Sequence, residues 1–435
     1  MKKQIAILPI LLLFAFRAGA QDVYGAAPTA RAIALGGIYL DSPSPSDALA
    51  ANPAMLTTIG RPYLEISGMG AFAQGQFHNS TNYPGSIASN AGALGSAAFG
   101  MQIPGTRLSI GLGVFPVSLL SDRWTYKDPA GTAGASYGIQ SNKSAFLAIQ
   151  SSAGVGYQIS SHVSVGASFG IVDNLNTLET PYVFQTNPTL AGLKTLLDLH
   201  TSGLGYNGTF GLTARPSSRL QIGLAYKTRT SVRSTGSATG DAYAQFAALG
   251  LPYASSFRYS AEVDNVFPQS ASVSVGWQAR RRLRTYLQTD WMNWGNAFVQ
   301  LPVHLTNGNN VLLNTLLDST SLNDSVPLHW KNQLAERVGF EVSVAESLTV
   351  QGGYAHVNSP VPAATLTPLT AAIMSDTLST GLTYSKDRIR LELAYQVNLP
   401  ATANVGASSL LAGEYSNTRT SLWLQTLALT TGVRF

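Results

Sequence analysis

The sequence predicts an all-β fold: an antiparallel transmembrane β-barrel of about fourteen strands, its lumen plugged by a small N-terminal hatch. Three features lead there. A secretion signal opens the chain, short segments of alternating apolar and polar residues recur to its end, and charged residues make up only 11 % of it. Soluble proteins carry roughly 25 %. After the signal no apolar run is long enough for a transmembrane helix, which needs ~20 residues. A closed sheet satisfies every backbone group in lipid without such a run.

The signal has a basic start at Lys2 and Lys3, an apolar stretch Ile5–Phe16, and a small-x-small cleavage site at Ala18-Gly19-Ala20. Cleavage before Gln21 leaves 415 of the 435 residues. Residues 1–20 are thus assigned to the signal peptide, 21–61 to the hatch and 62–435 to the barrel. The absence of cysteine excludes a lipoprotein and suits a closed barrel, which needs no disulfide staples. The formal charge of +5 falls to about +2 once Lys2, Lys3 and Arg17 leave with the signal, and Arg280–Arg282 is the single basic cluster. A nucleic-acid partner is therefore not expected.

The hatch stretch Arg31–Leu56 reads ARAIALGGIYLDSPSPSDALAANPAML. Behind it come segments with the period of a strand that has one greasy face. In Arg388–Asn398, Ile389, Leu391, Leu393, Tyr395 and Val397 take one face; Arg388, Arg390, Glu392, Gln396 and Asn398 take the other. Similar alternation marks Leu108–Val114, Val163–Ile171, Leu220–Tyr226, Ala271–Ala279, Leu283–Trp291 and Leu348–Tyr354. The last strand ends at Phe435, a terminal aromatic that resembles the signal read by the bacterial barrel-assembly machinery. The expected setting is a Gram-negative outer membrane, with membrane lipid and lipopolysaccharide around the barrel.

Short turns are expected at Pro104–Thr106, Ser160–His162, Pro216–Ser218, Arg280–Arg282, Ala345–Glu346 and Lys386–Asp387. Between them lie seven long connections, near 74–91, 117–141, 173–204, 231–265, 297–329, 359–375 and 399–418. Six short turns alternating with seven long loops give fourteen strands, with short turns on the periplasmic side. Several loops carry helix-like apolar spacing: Leu190, Leu193, Leu196 and Leu197; Tyr243, Phe246 and Ala247; Leu312, Leu313, Leu316 and Leu317. These form either a packed crown over the mouth or a greasy entrance for an apolar ligand, and the two roles are compatible.

Catalytic patterns fail on context. Gly166-Ala167-Ser168-Phe169-Gly170 matches G-x-S-x-G but lies inside an alternating strand, where a nucleophile elbow cannot form. Gly203–Gly208 matches G-x-G-x-x-G but leads into a strand and not a phosphate-binding helix. The six histidines show no metal-ligand spacing, so neither metal nor cofactor is expected. An outer-membrane lipid hydrolase lacks a Ser-His pair to build on.

Two constellations remain. Lys227, Arg284, Asp290, Arg388, Arg390, Glu392 and Arg434 fall on polar strand faces, where they are expected to pair with one another or with Asp41 and Asp47 of the hatch. Gly111, Gly113 and Pro116 crowd the third strand, where Pro removes a ladder donor and Gly often marks a bulge. They predict a local break in the wall.

Ala48–Leu56, preceded by Gly36-Gly37 and Asp41, resembles the N-terminal hatch of the FadL family (OmpP1/FadL/TodX type), outer-membrane transporters of long-chain fatty acids and aromatic hydrocarbons. Asn52, Pro53 and Ala54 carry the hatch signature. Gly203–Tyr226, Asp290–Trp294, Pro327–Trp330, Gly339–Phe340, Leu348–Tyr354 and Ser359–Pro362 extend the likeness along most of the mature chain. Pro43 and Pro45 depart from it, standing where an acidic, alanine-rich run is usual. The resemblance implies passive uptake of hydrophobic small molecules, caught among outer loops that include Leu193, Leu196, Leu197, Tyr243 and Phe246. It also implies a ligand site by the hatch and lateral exit at an inward-kinked third strand. The alternative is a plugged barrel of the same family acting as a docking or scaffold protein in secretion or surface attachment.

Overall fold

The computed structural model describes residues 20–22, 27–87 and 91–435. The expected signal peptide lies outside these residues apart from Ala20. The chain closes into an antiparallel barrel of fourteen strands. They are β1 (Tyr63–His78), β2 (Ala91–Gln102), β3 (Leu108–Lys127), β4 (Ile139–Gln158), β5 (Val163–Val183) and β6 (Lys194–Ser217). Next come β7 (Leu220–Lys227 and Thr230–Asp241), β8 (Ser256–Phe267 and Ser270–Arg280), β9 (Leu283–Met292 and Gln300–Thr306) and β10 (Leu322–Pro327 and Gln333–Ser343). The last are β11 (Leu348–Val357), β12 (Asp376–Lys386), β13 (Ile389–Val405) and β14 (Thr418–Arg434). Each strand pairs with the next, and β1 pairs with β14 from Tyr63↔Arg434 to His78↔Arg419, which closes the sheet.

Alternation sets the two faces. On β13, Ile389, Leu391, Leu393 and Tyr395 point out, while Glu392 and Ala394 are buried within. On β14, Leu427 and Leu429 point out between buried Ala428 and Thr430. No described helix is long and apolar enough to cross a membrane.

The strands outrun the expected loops. β3 continues to Lys127, β5 to Val183 and β6 begins at Lys194. The connections 117–141 and 173–204 therefore shrink to 128–138 and 184–193. Above the lipid both faces of a strand meet water or loops, so alternation fades although the ladder goes on. The helix expected around Leu190–Leu197 is absent: Leu196 and Leu197 sit in β6, paired with Pro181 and Thr180. Gly192 breaks any helical run with a φ of +83°. The other two apolar loop patterns are helical, at Tyr243–Ala248 and Val311–Leu317.

The N-terminal segment folds against the inward faces of the short-turn half. It holds α1 (Ala30–Ala34), α2 (Pro45–Ala50) and a 3-10 helix (Pro53–Thr58). Thr29, Ser44 and Asn52 cap these helices with side-chain oxygens. Pro45 opens α2, a position where its missing N–H costs nothing. Helix α1 packs on β11–β14, α2 on β1–β4, and the 3-10 helix mainly on β4–β6. The approach is close enough to require glycine: a Cβ on Gly353 would lie 2.1 Å from the Leu35 carbonyl carbon.

Arg31 ties this segment to the wall. Its Nε donates to Glu341 Oε1 at 2.8 Å and its Nη2 donates to Glu341 Oε2 at 3.0 Å and to the Tyr286 hydroxyl at 2.9 Å. Its backbone N–H donates to Glu392 Oε2 at 3.0 Å. Tyr286 also donates to Glu341. Removing one partner of such a buried pair strands the other, at a cost of roughly 3–5 kcal/mol. Arg31→Met is expected to lower the barrel's resistance to denaturant by about that amount, read from heat- or urea-modified gel mobility. Unchanged resistance would show that Glu341 finds another partner.

Candidate functional site

Asn52 anchors the base of the lumen. Its Nδ2 donates to Leu40 O at 3.2 Å and Thr213 Oγ1 at 3.1 Å, while its Oδ1 accepts from Ala54 N–H at 3.3 Å. Pro53 and Asn52 press against strand glycines. A Cβ on Gly166 would lie 2.3 Å from the Pro53 carbonyl carbon, and one on Gly211 would lie 2.1 Å from Asn52 Oδ1. The G-x-S-x-G match is therefore a packing surface, and Ser168 Oγ donates to Leu49 O at 3.2 Å.

Some charges of the polar lumenal faces are held in defined pairs. Arg390 Nε meets Glu392 Oε1 at 2.5 Å, and Arg337 Nε meets Asp290 Oδ2 at 2.9 Å. Arg284 and Arg434 lie over the rings of Tyr286 and Tyr63, at 5.1 and 5.3 Å. Arg388 is exposed at the β12–β13 turn. The carboxylates Asp41 and Asp47 take uncharged hydrogen-bond partners, from Gln221 and Thr29. Sequence reasoning missed Arg31 and Glu341, which stand 310 positions apart.

Beside this base lies a small pocket of about 50 Å³, bordered by Tyr39, Ala51, Pro116, Val117, Lys227 and Ser270. Pro116 and Val117 belong to an irregular part of β3. Opposite β4, Pro116 pairs with Ile149 and Ser118 with Ala148, which leaves Val117 as an extra, bulged residue. On the other side, pairing with β2 stops at Ala97↔Val114. Among the described residues it is next seen in the short strand Pro84–Ile87, at Ile87↔Trp124. Within that interval the strand Ala20–Asp22 pairs with Leu119–Ser121. Gly111 and Gly113 stay in the ladder, and their lack of side chains makes room for Leu56 and Leu49.

A larger cavity, about 210 Å³, opens above, in the long-loop half. Its wall is mainly apolar and includes Phe146, Phe184, Phe257, Phe298, Leu301 and Trp330. Leu197 lines it, and Leu193 and Phe246 pack in the apolar cluster behind. Leu196 sits in the wall, and Tyr243 is half exposed, edge-on to Tyr137 at 5.1 Å. Phe146 meets Phe267 at a tilt, 5.0 Å between ring centres, and Phe298 edge-on at 5.9 Å, within one apolar cluster that includes Trp330 and Val117.

Two polar locks hold the loops around this cavity. Asp324 accepts from the Tyr182 hydroxyl at 2.5 Å and from the backbone N–H groups of Thr186 and Asn187 at 2.6 and 3.0 Å. Lys194 Nζ donates to Asp128 Oδ1 at 2.8 Å, Pro129 O at 2.8 Å and Glu414 Oε1 at 3.1 Å. On the outer surface Glu179, Asp198 and His200 converge, where Lys143 pairs with Glu179 and His200 with Asp198.

Residues 15–426 match the family model described as outer membrane protein transport protein (OMPP1/FadL/TodX). The chain belongs to the OMPP1/FadL/TodX family. Its fold resembles the Pseudomonas putida toluene transporter TodX, with a TM-score of 0.74 and 19 % identity over 96 % of this chain and all of that one. The Ralstonia pickettii toluene transporter TbuX gives 0.70 and 18 % over 96 % and 100 %. A Pseudomonas aeruginosa FadL homologue gives 0.73 and 16 % over 95 % and 98 %. No curated protein matches the sequence. As an OMPP1/FadL/TodX member the chain is an outer-membrane barrel, and its family and structural neighbours are transporters and channels.

Glu414 gives this family member's crown a pH dependence. Burial pushes its carboxyl up from 4.5 to about 8; Lys194 offsets this in part and Asp128 adds to it. The folded form thus holds a proton that the unfolded chain releases near pH 4.5, so crown stability falls as pH rises from about 4.5 to about 8 and is level above. Hydrogen exchange of residues 406–417 across that range is expected to show the decline, and Glu414→Gln to flatten it. An identical slope in the variant would assign the effect to another group.

Proposed function

We propose that the barrel carries hydrophobic compounds passively inward. Ligand enters the apolar cavity among the outer loops, near Leu193, Leu196, Leu197, Tyr243 and Phe246. It then passes the Phe146–Phe267–Phe298 contact to the pocket beside the N-terminal segment, and leaves sideways into lipid between β2 and β3. The observation that supports this best is the adjacency of the lower pocket to the interrupted β2–β3 ladder, since Pro116 and Val117 belong to both. Lateral exit also suits an apolar solute, which reaches hydrocarbon without crossing water.

In the same proposal residues 21–61 act as a hatch that denies polar solutes a straight path, with Asn52, Pro53 and Ala54 as its anchor. Gly111 and Gly113 seat the hatch, Pro116 ends regular pairing, and the lumenal pairs around Asp290, Arg390 and Glu392 hold it in place. Two of the structural neighbours are toluene transporters, and toluene is compatible with an apolar cargo.

Two outcomes test these roles. Deleting Val117 removes the extra residue of the bulge and is expected to cut uptake of a radiolabelled hydrocarbon or fatty acid severely while the barrel stays folded on a gel. Normal uptake would reject lateral exit. Gly211→Val should push Asn52 away and raise single-channel conductance to small ions in planar bilayers. A folded variant with unchanged conductance would count against the hatch.

A further inference from the structure

Among the described residues that line the upper cavity there is no Arg, Lys or His; the acidic ones are Asp324 and Glu414. Lys194, whose ammonium meets the lining residue Glu414, is fully buried. Its three N–H groups go to Asp128, Pro129 O and Glu414, so it has no donor left for a ligand, and Asp128 balances its charge. Lys227 borders the small lower pocket and is not among the residues of the upper wall.

A carboxylate entering such a space loses its water and gains no cation, a heavy penalty in a low-dielectric wall. An uncharged molecule loses little and gains the contacts of the aromatic lining. Size agrees with charge. A dry apolar cavity of roughly 150 Å³ holds a benzene ring, and this one is about 210 Å³.

We propose that the upper cavity is an anion-excluding site that takes uncharged, ring-sized hydrophobic molecules and rejects carboxylates of the same shape, because the crown's buried lysine is sequestered by Asp128, Pro129 and Glu414. This rests on the cavity being the entry site for cargo. It narrows that cargo to neutral compounds and predicts discrimination before the ligand reaches the hatch.

The test uses the full barrel in mild detergent at neutral pH, with toluene, p-cresol and p-toluate as probes. Binding is followed by calorimetry and by quenching of tryptophan fluorescence, since Trp330 is in the wall. Toluene and p-cresol are expected to bind, and p-toluate on the order of 100-fold more weakly. Ser144 also lines the cavity. Ser144→Lys, which supplies the missing cation, should raise p-toluate affinity ~10-fold or more. Equal wild-type binding of p-toluate and p-cresol overturns anion exclusion and leaves the uptake route standing. A folded Ser144→Lys barrel without gain overturns the cause assigned here. Should that variant not fold, the wild-type comparison decides alone. No binding of any probe overturns the entry site itself.

Discussion

In hydrocarbon every backbone N–H and C=O must find a partner within the protein. That requirement closes β1 onto β14, and it makes the lapse in pairing between β2 and β3 among the described residues informative. From Phe115 to Leu120 the third strand has no β2 partner among the described residues. Several devices soften the cost. The short strand Ala20–Asp22 pairs along Leu119–Ser121. Pro116 has no N–H to leave unpaired. The side chains of Phe115, Val117, Leu119 and Ser118 are all buried. The proposed lateral port would use this interval.

The same logic runs inward. A polar lumen filled by a protein segment must pair what it buries, and the segment meets that demand through Arg31, Asn52 and the caps of three short helices. Arg31 reaches Glu341 and Tyr286 at once, while its backbone engages Glu392. Glycines on the facing strands then permit contact at distances that a Cβ would forbid. Position and rigidity of the segment thus come from the wall as much as from its own helices, each only about a turn or two long. Helices this short are not stable alone.

How much of this was legible followed the range of the interactions. Alternation and short turns are local, so strand number, the faces of β13 and β14 and the six tight turns could be read directly. Strand ends could not, because alternation fades where both faces are wet. Leucine spacing misled at Leu190–Leu197, since neither Gly192's left-handed backbone nor the β5–β6 pairing is visible in spacing. The site was the least legible part. Phe146, Phe257 and Phe298 come from different strands and loops, and none sits in a pattern that marks it. Glu341 was unremarkable until Arg31 stood opposite. Pro116 was the exception, because proline acts on its own strand and needs no partner to be noticed.

A passive route must bind its cargo well enough to fill and loosely enough to empty. Apolar contact grows with buried area at about 25 cal/mol per Å², and a cavity of this size limits that area. A buried ion pair behaves differently, since breaking it strands a charge and slows release. The crown spends its charged groups on itself: Asp324 gathers the 184–193 loop and Lys194 joins three chain segments. What faces the cavity is chiefly aromatic and aliphatic. On the proposed route, loop rigidity and cargo handling therefore draw on separate physical interactions, and a ligand would come and go without unlocking the ion pairs that hold the mouth in shape.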